Sequence, residues 1–176
     1  MSFIMKGKFI YLAHPRTASV ATEAALLFTC PEGTQTTQHH RMLHEIECGE
    51  ERTGNEYLFT TIRDPLDVLA SWWTLNTQWH DKLFLDFLNH FHHIYLTIDD
   101  KLFFHLPATR GKYIRYEHLQ EDFNIAMIFL GYSPKLIPKL NISKNKIKDY
   151  KSLYGTKEIK VMWKRFPVAM EIYYGS

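Results

Sequence analysis

The segment from Lys8 to Leu27 constrains the fold of this chain more than any other part of it. A short apolar run at 8–13 leads into a polar stretch, and helix-forming residues begin near position 18, which predicts a strand, a tight loop and a helix. The first N–H groups of such a helix have no intrahelical partner, and the helix dipole is positive at this end. The loop is therefore expected to favour an anion such as a phosphate.

Polar side chains in the loop strengthen this expectation. Arg16 adds a permanent positive charge, and the hydroxyl groups of Thr17, Ser19 and Thr22 add donors. The loop lacks the glycines and the lysine of the G-x-x-x-x-G-K-[ST] motif that binds ATP or GTP. An ordinary strand–turn–helix unit with a capping Thr or Ser is the alternative interpretation.

A second strand-to-helix connection begins at Arg63. Residues 57–62 are rich in aromatic and β-branched side chains, which predicts a buried strand. Asp64 is a suitable N-cap for the next helix, and Pro65 suits its first turn. Arg63 then lies at the carboxyl end of a strand, where open parallel sheets bind ligands, and Ser71 lies two turns further along. Together they are expected to hold one phosphate.

The two segments together resemble the sulfotransferases that use 3′-phosphoadenosine 5′-phosphosulfate (PAPS). In that family a loop near P-K-[ST]-G-[ST]-[ST] holds the 5′-phosphosulfate, and residues 15–20 have a similar pattern. Arg16 and Ala18 stand where the family usually has lysine and glycine. The family's second motif, an Arg with a Ser eight residues later, holds the 3′-phosphate, and Arg63 and Ser71 match its spacing.

The resemblance implies a PAPS or PAP site, where PAP is the desulfated cofactor. Its expected members in the first loop and helix are Pro15, Arg16, Thr17, Ala18, Ser19, Val20, Ala21 and Thr22. The expected members further along the chain are Arg63, Ser71, Tyr116, Lys144 and Lys146. Tyr116 belongs to a stretch that resembles a later strand and helix start of the family, and the two lysines are expected to close over the 3′-phosphate.

The resemblance also implies two catalytic residues. Arg16 is expected to stabilise the bridging oxygen as the sulfuryl group leaves, but it cannot supply a proton because its pKa is too high. His40, in a stretch similar to one near the acceptor in several branches, is the expected general base. The alternative bases are Glu45, His39 and His44. No metal is expected, since no zinc spacing accompanies the histidines at 39–44 or 90–93.

Composition predicts one globular domain over residues 1–176. With 45% hydrophobic and 23% charged residues, the chain matches ordinary soluble domains. Cys30 and Cys48 are too few for a disulfide framework and suit a reducing compartment. No apolar run approaches a membrane span of about 20 residues, and residues 1–8 do not resemble a signal peptide. A cytoplasmic location without a membrane partner is therefore expected.

Positive charge is concentrated between positions 135 and 165. This stretch has nine Lys and one Arg against two acids, whereas the remainder of the chain has a net negative charge. If the chain is a sulfotransferase, some of these lysines are expected to bind the cofactor. If it binds nucleic acid, they are expected to bind its phosphates. The rings expected to stack on bases in that second reading are Tyr150, Tyr154 and Trp163. Lys157, Lys160 and Lys164 have the spacing of a solvated helix face.

The order of elements predicts an α/β fold, with a three-layer, mostly parallel sheet flanked by helices as in the P-loop-like sulfotransferases. The predicted strands cover 8–13, 57–62 and 112–115. The predicted helices cover 18–29, 65–77, 117–131 and 156–165, with helical periodicity at 82–96 and a further helix from Pro167. Gly131 is a predicted C-cap. Trp72, Trp73 and Trp79 are candidates for lining an acceptor pocket, and core packing is expected for at least one of them.

The expected function is transfer of a sulfuryl group from PAPS to a hydroxyl acceptor, with release of PAP. Carbohydrate is the first choice of acceptor, and a small alcohol or a tyrosine is the alternative. The chain is short for this family, so a homo-oligomer is one expected assembly, and no nucleic-acid partner is expected. The alternatives are a nucleotide-dependent kinase of related topology and a non-catalytic protein that binds PAP or nucleic acid.

Overall fold

A computed structural model of the chain describes residues 3–14, 16–35, 55–76, 79, 83–90, 111–140 and 147–175. Within these segments the strands are β1 Phe3–Met5, β2 Phe9–Leu12, β3 Thr34–Gln35, β4 Tyr57–Ile62 and β5 Gly111–Arg115. The α-helices there are α1 Ser19–Thr29, α2 Pro65–Leu75, α3 Phe84–His90, α4 Leu119–Phe129, α5 Thr156–Arg165 and α6 Pro167–Tyr174. Short 3₁₀ turns cover Tyr116–His118 and Tyr150–Leu153.

The strands form one mixed sheet in the order β3-β1-β2-β4-β5. β2, β4 and β5 run parallel, with Leu12 opposite Thr60 and Ile62 opposite Arg115. β1 pairs antiparallel with both β2 and β3. The predicted α/β class is confirmed, and the longer strands are the parallel ones, but the antiparallel edge was not predicted.

The tight turn between β1 and β2 explains why β1 was not predicted from the sequence. Gly7 has a φ of 73°, a left-handed backbone that favours glycine, and the Lys8 N–H donates to the Met5 carbonyl oxygen at 2.9 Å. The turn reverses the chain after only three strand residues, so β1 is too short to show a pattern of alternating burial.

The chain divides into two compact units, each made from two stretches of sequence. Unit 1 comprises residues 1–62 and 105–142, and unit 2 comprises residues 63–104 and 143–176. Across the described segments, no helix combines the length and the apolar character that a bilayer span requires.

In unit 1, α1 and α4 cover one face of the sheet. Phe9 and Phe59 are fully buried on this face, and their rings lie 5.3 Å apart. Leu26 of α1 and Met127 of α4 pack into the same cluster. Because each fully buried large apolar side chain stabilises the fold by about 1.5–3 kcal/mol, this cluster fixes α1 and therefore the loop before it.

Unit 2 has its own apolar cluster, built from its four described helices. Its buried members are Leu66, Val68, Leu69, Phe84, Phe87, Leu88, Met162, Phe166, Ala169 and Met170. Trp72, Trp73 and Trp79 pack against this cluster, which confirms the core role predicted for at least one of them.

Two helices carry features that the sequence predicted in detail. At the end of α4, Gly131 has a φ of 83°, its N–H donates to the Ile128 carbonyl, and the Tyr132 N–H donates to the Met127 carbonyl. This pair of bonds is a Schellman motif, so the predicted C-cap role of Gly131 is confirmed. On α5, the exposed residues include Lys157, Lys160 and Lys164, as expected of a solvated face.

Candidate functional site

The connection between β2 and α1 contains two residues in left-handed backbone conformation. Arg16 has a φ of 65° and Ala18 a φ of 62°, in a region that is strained for any residue with a Cβ atom. Ala18 is the N-cap of α1, and Arg16 is half-buried. The chain therefore turns sharply at 16–18 and delivers the start of α1 to the edge of the sheet where β2 ends.

Hydroxyl groups hold this turn together. Thr17 is buried, and its Oγ1 donates to the carbonyl oxygen of His14 at 2.7 Å. Thr22 is fully buried, and its Oγ1 donates to the carbonyl oxygen of Ala18 at 3.2 Å. In this conformation two of the three hydroxyl groups expected to serve an anion donate to backbone carbonyls of the same connection instead.

The backbone at the start of α1 is the stronger candidate for anion binding. Among the described residues, no side chain caps this helix start, although the first N–H groups of a helix need partners. Ser19 and Ala21 are buried in the first turn, and Val20 is 43% exposed. An anion at this position would gain backbone N–H donors and the favourable end of the helix dipole.

Buried ionisable side chains lie near the loop. His14 is 5% exposed at the end of β2, and Glu23 is 2% exposed one turn into α1. The Tyr11 hydroxyl shares a hydrogen bond with Thr61 Oγ1 at 2.8 Å. Burial raises the pKa of Tyr11, and the nearby Glu23 carboxylate raises it further, so this phenol keeps its proton at neutral pH.

Sequence reasoning missed both His14 and Glu23. Their positions beside a predicted loop were visible in the sequence, since one follows the strand and the other lies in the next helix. Their burial was not visible, because it depends on how α1 packs against the sheet.

The connection between β4 and α2 is capped as predicted. Asp64 is the N-cap of α2 and its Oδ1 accepts from the Leu66 N–H at 2.9 Å, while Pro65 occupies the first turn. Arg63 and Asp67 form a buried ion pair: Nε and Nη2 of Arg63 lie 2.7 and 2.6 Å from Asp67 Oδ2. Ser71 is buried one turn beyond Asp67.

Three tyrosines of unit 2 hold the start of α2. Asp64 Oδ2 accepts from the Tyr150 hydroxyl at 2.9 Å and from the Tyr174 hydroxyl at 2.5 Å. The Tyr154 hydroxyl donates to the Leu66 carbonyl oxygen at 2.8 Å. Burial raises the pKa of Tyr154 well above its ordinary value, and the Asp64 carboxylate adds to the rise.

These contacts bear on the nucleic-acid interpretation of the sequence. Tyr150 and Tyr154 were expected to stack on bases in the nucleic-acid reading, but both direct their hydroxyls to α2 and are half-buried. Of the three rings considered, Trp163 is the exposed one, at 38%.

The local charge around Arg63 is less favourable to a phosphate than the sequence suggested. The guanidinium is already neutralised by Asp67 at hydrogen-bonding distance, and the Asp64 carboxylate follows directly in the chain. A phosphate at Arg63 would have to share the guanidinium with Asp67 or displace that carboxylate, and both carry an electrostatic cost.

The connection after β5 carries a second Arg–Asp pair. Arg115 Nε and Nη2 donate to the two carboxylate oxygens of Asp122 at 2.9 and 3.0 Å, and the Arg115 N–H also donates to Asp122. The Arg115 hydrogen bonds lower the pKa of Asp122. Tyr116, a predicted cofactor residue, is half-buried in the 3₁₀ turn between them.

Several predicted residues lie outside the described segments. They are Pro15, His39, His40, His44, Glu45, Lys144 and Lys146. The segments that the structure does describe contain no group of three His, Cys, Asp or Glu side chains suited to a metal ion. His90 is exposed on α3, where its Nδ1 lies 2.9 Å from the Asp86 carbonyl oxygen.

Comparison of the chain with protein-family models, with curated proteins and with solved structures gave no match.

Proposed function

We propose that this chain is a PAPS-dependent sulfotransferase in which the β2–α1 loop binds the 5′-phosphosulfate. One observation carries the proposal: α1 begins at the carboxyl end of a parallel strand with no side-chain cap among the described residues. Such a helix start favours an anion through its N–H groups and its dipole.

The backbone of the loop supports the same proposal. Ala18 stands where the family pattern has glycine, and its φ of 62° is a conformation that glycine adopts without strain. A loop that accepts left-handed strain at Arg16 and Ala18 keeps a defined shape, and strain of this kind is concentrated at functional sites.

In the proposed reaction, His40 takes the proton of the acceptor hydroxyl while the acceptor oxygen forms a new bond to sulfur. Arg16 balances the negative charge that develops on the bridging oxygen as its bond to sulfur breaks, and PAP leaves with that oxygen. The proposed 3′-phosphate residues are Arg63 and Ser71. Carbohydrate remains the first choice of acceptor.

PAP binding tests the cofactor assignment. PAP at micromolar concentration is expected to raise the melting temperature, and ATP at the same concentration to raise it little. Arg16→Ala should weaken PAP binding at least tenfold, whereas Lys135→Ala, which removes an exposed charge elsewhere in unit 1, should not. Equal stabilisation by ATP would favour the kinase alternative, and no stabilisation by PAP would refute the proposal.

Sulfate transfer from labelled PAPS tests the chemistry. Glycans, small alcohols and tyrosine peptides serve as acceptors, and His40→Ala should slow turnover by roughly 10²–10⁴ while PAP still binds. His14→Ala is the comparison, because His14 is a buried histidine beside the loop. If the His14 variant alone loses turnover, the base has been assigned to the wrong histidine. PAP binding without transfer to any acceptor would favour a non-catalytic PAP binder.

A further inference from the structure

Unit 1 exposes a set of large apolar side chains that a folded monomer would be expected to bury. We call them the apolar patch: Phe28 (72% exposed), Ile125 (47%), Ile128 (65%), Phe129 (70%) and Leu136 (83%). Single exposed apolar residues need no explanation, but a group of this size marks an interaction surface.

The members of the patch lie on α4 or beside one of its two ends. Ile125, Ile128 and Phe129 have the i, i+3, i+4 spacing of neighbours on α4. Gln120 ties the segment containing Leu136 to the same helix, because its amide donates to the Lys135 carbonyl and accepts from the Ile137 N–H.

A further bond connects α1 to this group. The Tyr132 hydroxyl, just beyond α4, donates to the Glu32 carboxylate, just beyond α1, at 3.2 Å. The carboxyl-terminal ends of the two helices are therefore neighbours, and Phe28 lies in the last turn of α1.

The inner face of α4 shows that the patch is not the helix's core face. Phe123, Ala126 and Met127 already pack against the sheet and are 0–1% exposed. A helix that is apolar on both sides is typical of one that is buried on both sides. The outer face therefore calls for a cover beyond the described residues of unit 1.

We propose that the apolar patch is the centre of a two-fold interface between two copies of this chain. The five side chains expose roughly 500–600 Å² of apolar surface per copy, judged from their exposed fractions and the usual area of such side chains. A standard interface buries about 800 Å² on each side, of which about 65% is non-polar in homodimers. The apolar patch alone therefore supplies about the non-polar area that one side of such a homodimer interface buries.

The charges beside the patch suit a second copy of the same chain. Glu117 and Glu121 precede Ile125 in the sequence, and Lys135 and Lys139 lie on either side of Leu136; all four are exposed. In a two-fold interface each surface meets its own copy. A border with equal numbers of acids and lysines avoids net repulsion, which a strongly charged border would not.

The position of the patch leaves the candidate anion site open. Phe28 lies nine residues from Ser19, about 13 Å along α1, at the opposite end of that helix from the loop. The interface is therefore independent of the proposed sulfotransferase function, and a dimer is expected to bind PAP as a monomer would.

Sedimentation and light scattering at 1–100 µM test the interface. The unmodified chain should be a dimer at about 10 µM, and Ile128→Glu with Phe129→Glu should be a monomer there, with dissociation shifted at least 100-fold. Leu83→Glu is the matched control, because Leu83 is 73% exposed in unit 2, and it should stay dimeric. A monomeric unmodified chain at 100 µM, or a dimeric double variant, would overturn the proposal.

A second variant covers the case in which the double variant does not fold. Phe129→Cys places a thiol near the two-fold axis and should give a disulfide-linked dimer under mild oxidation much faster than Leu83→Cys. Equal rates for the two would also overturn the proposal, since they would show that the patch does not meet its own copy.

Discussion

The β2–α1 and β4–α2 connections have the same order of elements but use their polar groups differently. At β4–α2, Asp64 caps the helix and Arg63 is bound to Asp67. At β2–α1, the helix starts at Ala18 in left-handed conformation with no side-chain cap among the described residues. At β4–α2 a side chain caps the helix start, whereas at β2–α1 no described side chain does so.

The difference teaches that a charged residue at a strand end is not by itself a ligand site. Arg63 directly follows β4, yet its guanidinium already has the Asp67 carboxylate at 2.6 Å. A helix start without a cap is the better indicator, because its N–H groups need partners in any folded state.

The largest expected effect concerns the buried ion pair. Arg63→Ala leaves Asp67 charged and buried, which should lower the free energy of unfolding by about 3–5 kcal/mol. Arg115→Ala is the comparison at another strand end. It should cost less, about 1–2 kcal/mol, because the Arg115 guanidinium is 53% exposed and the buried Asp122 carboxylate keeps its hydrogen bond from the backbone N–H at position 115. Urea denaturation measures both. Equal losses would mean that the Arg63 pair is no more buried in solution than the Arg115 pair.

This result also governs how the 3′-phosphate assignment is tested. If Arg63→Ala is poorly folded, its loss of PAP binding says nothing about contact with the cofactor. Ser71→Ala, a smaller change, then provides the binding measurement.

The next effect concerns Asp64. Asp64→Ala removes a helix cap and the acceptor for the Tyr150 and Tyr174 hydroxyls, so it should cost about 3 kcal/mol. Asp149→Ala is the control, because Asp149 begins a 3₁₀ turn without a side-chain cap bond. Thermal and urea unfolding should show a change under about 0.5 kcal/mol for this control. A similar loss in both variants would contradict the role given to Asp64.

A smaller effect of opposite sign is expected at Ala18. Ala18→Gly relieves left-handed strain of about 1–2 kcal/mol, part of which is lost to the greater freedom of glycine in the unfolded chain. The variant should be more stable by about 0.5–1 kcal/mol. Ala24→Gly, inside α1, should instead be less stable by about 1 kcal/mol. Destabilisation by Ala18→Gly would show that the loop does not hold this conformation in solution.

The smallest expected effect is a change in the pH dependence of stability, and it concerns the β5–α4 connection. The pKa of Asp122 is lower in the folded chain, chiefly because Arg115 donates to it. The ion pair therefore stabilises the fold above the unfolded pKa of about 3.9, and this contribution is lost as the pH falls through the folded pKa. Denaturation between pH 2 and 7 should show a shallower acid loss for Asp122→Asn than for the unmodified chain.

Sequence reasoning was most successful where local signals fix a structure. The bounds of β4 and α5, the Asp64 cap and Gly131 all follow from short-range rules of periodicity and capping. It missed β1 and β3, which are too short to show a pattern and depend on pairing with a partner strand.

At the candidate site the limits have a different cause. The Arg63–Asp67 pair could have been predicted, because Asp67 lies in the first turn of α2 and Arg63 lies four positions before it, just ahead of the N-cap. The tyrosine contacts to Asp64 were not, because they join residues 86 and 110 positions apart. Pairings of that separation are set by the packing of unit 2 rather than by local sequence.

The tyrosine contacts also affect when unit 2 can fold during synthesis of the chain. The first turn of α2 is stabilised by the hydroxyls of Tyr150 and Tyr174, which are synthesised 86 and 110 residues after Asp64. During synthesis, the Asp64 carboxylate can accept from the Leu66 N–H before either tyrosine hydroxyl is available to it. Unit 2 is therefore expected to reach its native state late, with its first helix exposed to chaperones and proteases until Tyr174 arrives.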